Sequence, residues 1–150
     1  MGARLTKAAG WCKAVLLGGS IVFAGHSPAD PQRGRQDLRD CVGAARDARA
    51  VAACEKSQQA VLRDRIKRWT KALRAQLDPK QQSLLDRNVR AWQAFYDSEL
   101  AMLDLTLKQR ADGLGAALHP GAITRLLEER ERQLREHLHN ATYGRQGGKP

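Results

Sequence analysis

Apolar residues recur along this chain at steps of three and four, the spacing that gathers them on one face of an α-helix. The first such stripe runs Val51, Cys54, Gln58, Leu62, Ile66, Trp69, Leu73 and Leu77, with one polar interruption. Arg63, Arg65, Lys67, Arg68 and Lys71 fall between these positions and make the opposite flank a basic, solvated face. Asp47 is a good N-cap residue ahead of the stripe, so the pattern predicts a helix of ~30 residues, ~45 Å long. A helix of that length needs a partner along it.

Asp78-Pro79-Lys80-Gln81 supplies the break and the restart. Asp78 can cap the next helix, Pro79 sits in a first turn that needs no N–H, and Gln81 stands where a capping-box side chain reaches back. The second stripe is Leu84, Leu85, Val89, Trp92, Phe95, Tyr96, Leu100, Leu103 and Leu107. So short a connection predicts an antiparallel hairpin. Trp92 and either Phe95 or Tyr96 share a face at i, i+3 and i, i+4, and their area would dominate a small core. Ala111-Asp112-Gly113-Leu114-Gly115 ends this helix, with two glycines for the awkward backbone angles. A third helix opens near His119-Pro120-Gly121 and turns Ile123, Leu127, Leu134 and Leu138 inward. Its outer face pairs Glu128 with Arg132, Glu131 with Arg135 and Arg132 with Glu136, each worth ~0.2–0.5 kcal/mol.

These elements predict an all-α fold, a long antiparallel helical hairpin plus a third helix, making a three-helix bundle over residues 41–139. Residues 30–40 are polar and interrupted by Pro31 and Gly34, which predicts a flexible leader. Residues 140–150 predict a disordered tail.

Composition adds the compartment. The chain has 150 residues and 42% hydrophobic content, enough for one domain. Its first 29 residues carry Arg4, Lys7 and Lys13 with no acid, then an apolar run from Ala14 to Gly25. Basic, then apolar, then small is the order of a cleaved export signal. The run is shorter than the ~20 residues a bilayer span needs. Cleavage is expected after Ala24 or after Ala29, and it places the mature chain in the periplasm or outside the cell. Losing those three cations lowers the net charge from +10 to +7. A basic surface favours anionic envelope components such as phospholipid head groups, lipopolysaccharide and cell-wall polymers. Nucleic acid does not fit an exported chain, and no aromatic-studded basic stretch for single strands is present.

Cysteine usage agrees with export. The mature chain keeps Cys41 and Cys54, which an oxidising compartment would pair. No Cys-x-x-Cys suggests a redox pair or a metal site. Nor does the sequence announce a reaction. His26 lies at the signal boundary, His137 and His139 point to different helix faces, and His119 stands alone. No phosphate loop, nucleophile elbow or His-Glu-x-x-His occurs, so no catalytic residue, metal or cofactor is expected.

Several of these features stand together in one pattern. A cysteine near the mature N-terminus is followed by a second at the head of a long helix. Leu-Asp-Pro precedes the next helix, which carries Arg90-Ala91-Trp92 with Phe95, Asp97 and Glu99. Leu127-Glu128-Glu129-Arg130 with Gln133-Leu134 closes the pattern. The chain thus resembles the N-terminal domain family of the lysozyme inhibitor LprI, from about Cys41 to Leu138. Departures are Leu100, where many members have a cysteine, the absence of a later cysteine near Ala122 and Ile123, and Tyr96 where Arg is commonest. The resemblance implies an exported helical domain and, for some members, inhibition of lysozyme. The partner it implies is therefore a lysozyme or another cell-wall hydrolase.

Asp97, Glu99 and Asp104 on the second helix and Glu128, Glu129 and Glu131 on the third suggest an acidic region on which a cationic lysozyme would dock. The competing account pairs Asp97 and Glu99 with Arg90, Arg130 or another helix-borne cation. A different class of function is suggested by Leu77-Asp78-Pro79-Lys80-Gln81, which resembles the Leu-Thr-x-x-Gln turn of the Spy and CpxP envelope chaperones. A chaperone would show a concave, basic and apolar cradle, whereas an inhibitor would show a patch complementary to one enzyme.

Overall fold

The computed structural model describes residues 31–146, which form four helices: α1 (Pro31–Ala44), α2 (Ala48–Ala75), α3 (Pro79–Lys108) and α4 (Gly115–Gln146). The export signal read at residues 1–29 lies outside the described residues. None of the described helices is long and apolar enough to cross a membrane.

Local chemistry sets the helix starts where the sequence predicts them. The Asp47 side chain accepts the Ala50 N–H at 2.7 Å and caps α2. At α3 the capping box is complete: Asp78 accepts from the Gln81 N–H at 2.8 Å, and the Gln81 side chain accepts from the Asp78 N–H at 3.0 Å. Pro79 occupies the first turn, where its missing N–H costs nothing. Exchanging such a cap for alanine would cost ~1 kcal/mol.

The core is built in two layers, each taking one buried side chain from each long helix. Leu62 of α2, Tyr96 of α3 and Leu127 of α4 form one; Leu73, Leu85 and Leu134 form the other, and Ile66 packs against both. Leu62, Leu127 and Leu134 are sealed from solvent, and each contributes ~1.5–3 kcal/mol by its burial. Cross-links fix the directions. Arg63 meets Tyr96 and Arg74 meets Asp86, so α2 and α3 run antiparallel; Glu55 and Gln59 meet Thr124 and Trp69 meets Glu131, so α2 and α4 run parallel.

The closest neighbour of α2 is α4, not its hairpin partner α3. Gln59, buried on α2, donates to the Pro120 carbonyl at 3.0 Å, and the Thr124 hydroxyl donates to Glu55.

The structure corrects the sequence reading at five points. Residues 30–40 were expected to be a flexible leader, but from Pro31 they belong to α1. Proline is tolerated in a first helical turn, and Gly34 is buried against the Arg65 guanidinium, 3.0 Å from where a Cβ would stand. The Cys41–Cys54 disulfide then fastens α1 to α2. The bundle accordingly has four helices rather than three. α4 starts at Gly115, four residues before the expected opening, and passes through Pro120, whose carbonyl is taken up by Gln59 and Thr124. The expected tail is helical as far as Gln146, with Ala141 packed on the lower core layer. Lastly, Leu84 and Phe95 are about half exposed, while Leu85 and Tyr96 take the inner positions.

Candidate functional site

Because α3 stands away from α2, an open cleft of about 530 Å³ runs between them, with α4 as its floor. Ile66 and Thr70 of α2 face Val89, Trp92 and Tyr96 of α3, and Leu127 and Arg130 come up from α4. The α2 rim is cationic: Arg63, Lys67, Lys71 and Arg74 fall at helical spacing along it. Two cross-links join the walls. Arg63 donates to the Tyr96 hydroxyl at 3.0 Å, and Arg74 forms an ion pair with Asp86.

The floor is unusual in its charge. Arg130 is 3% exposed, and its guanidinium lies 5.3 Å from the centroid of the Trp92 ring, which itself stacks on Tyr96 at 5.1 Å. The cation–π contact offsets part of the cost of burying the charge, by ~0.5–2 kcal/mol. Its hydrogen bond goes to the neutral Asn88 Oδ1 at 2.8 Å, and Nε is buried without a partner. Burial pushes the Arg130 pKa below the ordinary arginine value. A buried guanidinium facing no carboxylate is a costly arrangement for a structural role alone.

The motif residues divide between this joint and the surface. Trp92 and Arg130 line the cleft, and Leu134 is sealed in the core. Arg90, Ala91, Phe95, Asp97 and Glu129 are exposed, and Glu99 is half-buried. Asp97 pairs with neither Arg90 nor Arg130; it accepts from Gln93 at 2.9 Å on its own helix. The α4 charge ladder keeps the expected Arg132–Glu136 pair and differs at the other two. Arg132 bridges Glu129 and Glu136, with Glu129 held below the usual carboxylate range by its hydrogen bond from Arg132. Glu131 is buried and accepts the Trp69 indole N–H at 3.3 Å, while burial pushes Glu128 upward. Asp104 faces His119 at 2.8 Å. The carboxylates expected to form one acidic region are thus mostly engaged by separate local partners.

A smaller cavity of about 270 Å³ lies by α1, where Arg35, Arg65 and Arg125 meet Glu128 and Glu131. Arg65, read from sequence as part of the solvated flank, is 5% exposed there. Among the described residues no cluster of His, Cys, Asp and Glu is arranged to hold a metal ion.

Sequence reasoning missed the cleft as a site. Its rim was already visible in the basic residues at 63, 67, 71 and 74, but that spacing is shared with any solvated helix face. Compared with known proteins, the chain matches no family model, no curated protein and no solved structure.

Proposed function

We propose that this chain is an exported, disulfide-bridged binding protein that docks on a lysozyme or other cell-wall hydrolase and blocks it, as the LprI resemblance implies. The supporting observation is that the two motif segments meet. Arg130 covers Trp92 of the Arg90–Glu99 stretch and is hydrogen-bonded to Asn88, just ahead of that stretch and 42 residues away in the chain. The α3 and α4 segments of the resemblance therefore touch through Trp92 and Arg130. Phe95 belongs to the motif but not to the core, and its half-exposed ring gives a contact surface of the type enriched at interfaces. The test is a lysis assay with purified mature protein at stoichiometric concentration against each lysozyme class. Inhibition should weaken in Phe95→Asp without loss of thermal stability. Undiminished lysis by every class at excess protein would remove this reading.

The cleft favours a second reading, a Spy/CpxP-like envelope chaperone or stress protein. Its apolar walls and cationic α2 rim support the comparison with such a cradle. Suppression of aggregation of an unfolded client is the measurement, and no effect at excess protein would count against it. Export underlies both readings and predicts a secreted chain whose measured mass places its N-terminus at Gly25 or Asp30.

A further inference from the structure

The feature that neither reading uses is the unpaired charge under the cleft. Arg130 is almost wholly buried, its Nε has no partner, and its neighbours in the cleft are apolar, cationic or, at Thr70, Gln93 and Tyr96, neutral and polar, with no carboxylate in the lining. Water would ordinarily be replaced around such a guanidinium by a carboxylate. Among the described residues no carboxylate pairs with it, so the geometry asks for an anion from outside. The walls add a second requirement. Ile66, Val89, Trp92 and Leu127 present continuous apolar surface, and about 530 Å³ lies within the size range of small-ligand sites.

We propose that the cleft between α2 and α3 binds a single-chain fatty carboxylate, its head group on Arg130 with Lys67 and Lys71 at the rim, its alkyl chain against Ile66, Val89 and Trp92. A carboxylate matches the donor geometry of a guanidinium better than it matches a lone ammonium. One buried cation calls for a monoanion. From Arg63 to Arg74 the α2 wall is ~16 Å long, room for a medium-length acyl chain lying along the helix. The size of the cleft also argues against a partner helix, which is ~10 Å across with its side chains.

The test is calorimetric titration of the full mature chain with laurate below its micellar concentration, beside dodecanol and dodecyltrimethylammonium of equal chain length. Saturable one-to-one binding of laurate is expected, at least ~10-fold tighter than dodecanol, with the cation excluded. Arg130→Met keeps the length of the side chain and removes the unpaired charge, so it should fold at least as well as the parent and bind laurate ~10-fold more weakly, with dodecanol unaffected. Should that variant not fold, Lys71→Glu on the exposed rim provides the same comparison. Equal affinity for laurate and the cationic amphiphile, unchanged laurate affinity in the folded variant, or no saturable binding would each overturn the proposal. Tight laurate binding with no effect on lysis or aggregation would leave it standing while both functional readings fell.

Discussion

Trp69 on α2 donates its indole N–H to the Glu131 carboxylate of α4 at 3.3 Å, in a setting where Glu131 is 5% exposed. The bond ties the two helices that pack most closely and supplies a partner to a buried charge. Trp69→Phe keeps most of the ring and removes the donor, leaving that carboxylate unsatisfied at a cost of ~1–3 kcal/mol. Adding Glu131→Leu should recover much of the loss, because both polar partners are then gone. Denaturant titration of the four proteins in the cycle decides it, and strict additivity would show the contact to be incidental.

The disulfide carries α1. Cys41 and Cys54 are separated by 13 residues, and in the chain-entropy model closing so short a loop contributes ~3 kcal/mol. Cys41→Ser with Cys54→Ser should lower the stability of the whole by about that amount. Hydrogen exchange should rise first over Pro31–Ala44, since α1 packs mainly on α2. Equal protection of α1 in both proteins would mean that its packing suffices alone.

The turn into α4 depends on two glycines for different reasons. Gly113 has a φ of 71°, in the left-handed region, whereas a Cβ at Gly115 would stand 1.6 Å from the Leu107 carbonyl oxygen. Gly113→Ala should cost ~1 kcal/mol through backbone strain. Gly115→Ala must displace backbone rather than a side-chain end, so the larger loss of ~1–3 kcal/mol is expected there. Melting temperatures of the two variants test the order, and the reverse order would contradict this account of the turn.

Acid should weaken the fold late. The hydrogen bond from Arg74 holds Asp86 below the usual carboxylate range, and that from Arg110 lowers Asp112 to about 2. A carboxyl group depressed in the folded state binds fewer protons there than in the unfolded chain. The stability it brings is therefore present above its ordinary value and is lost as pH falls through the folded one. Glu128, raised by burial, acts in the opposite sense and gains stability as it protonates. The melting temperature should accordingly hold from neutrality to about pH 4 and fall toward pH 2, and Asp112→Asn should flatten part of that fall. An unchanged acid limb in that variant would show that the Arg110 pairing adds nothing to stability.

Much of the architecture was legible without coordinates, because its causes are local. A cap needs only Asp47 or Asp78 and the three residues after it, and a stripe needs only the period of one helix. The same reasoning found the inward row from Cys54 to Leu77 and the pairing of the two cysteines, close in sequence. It failed where two adjacent residues were equally apolar. Leu84 or Leu85, Phe95 or Tyr96, is decided by how far a helix is rotated about its axis, and its neighbours set that rotation.

α1 escaped because Pro31, Gly34 and its many charges read as a broken leader, although Leu38, Cys41 and Val42 share one helix face; Cys41 then tethers it to α2. The sequence by itself determined the helical class, the breaks near residues 47 and 78, and the bridge between Cys41 and Cys54, since each follows from interactions within about a dozen residues. Only tertiary packing decided that α2 lies closest to α4, that a cleft opens beside α3, and that Arg65 and Arg130 are buried while Arg90 is exposed. Those outcomes depend on which of several apolar faces pack together most closely, and that competition is settled between helices, not along one.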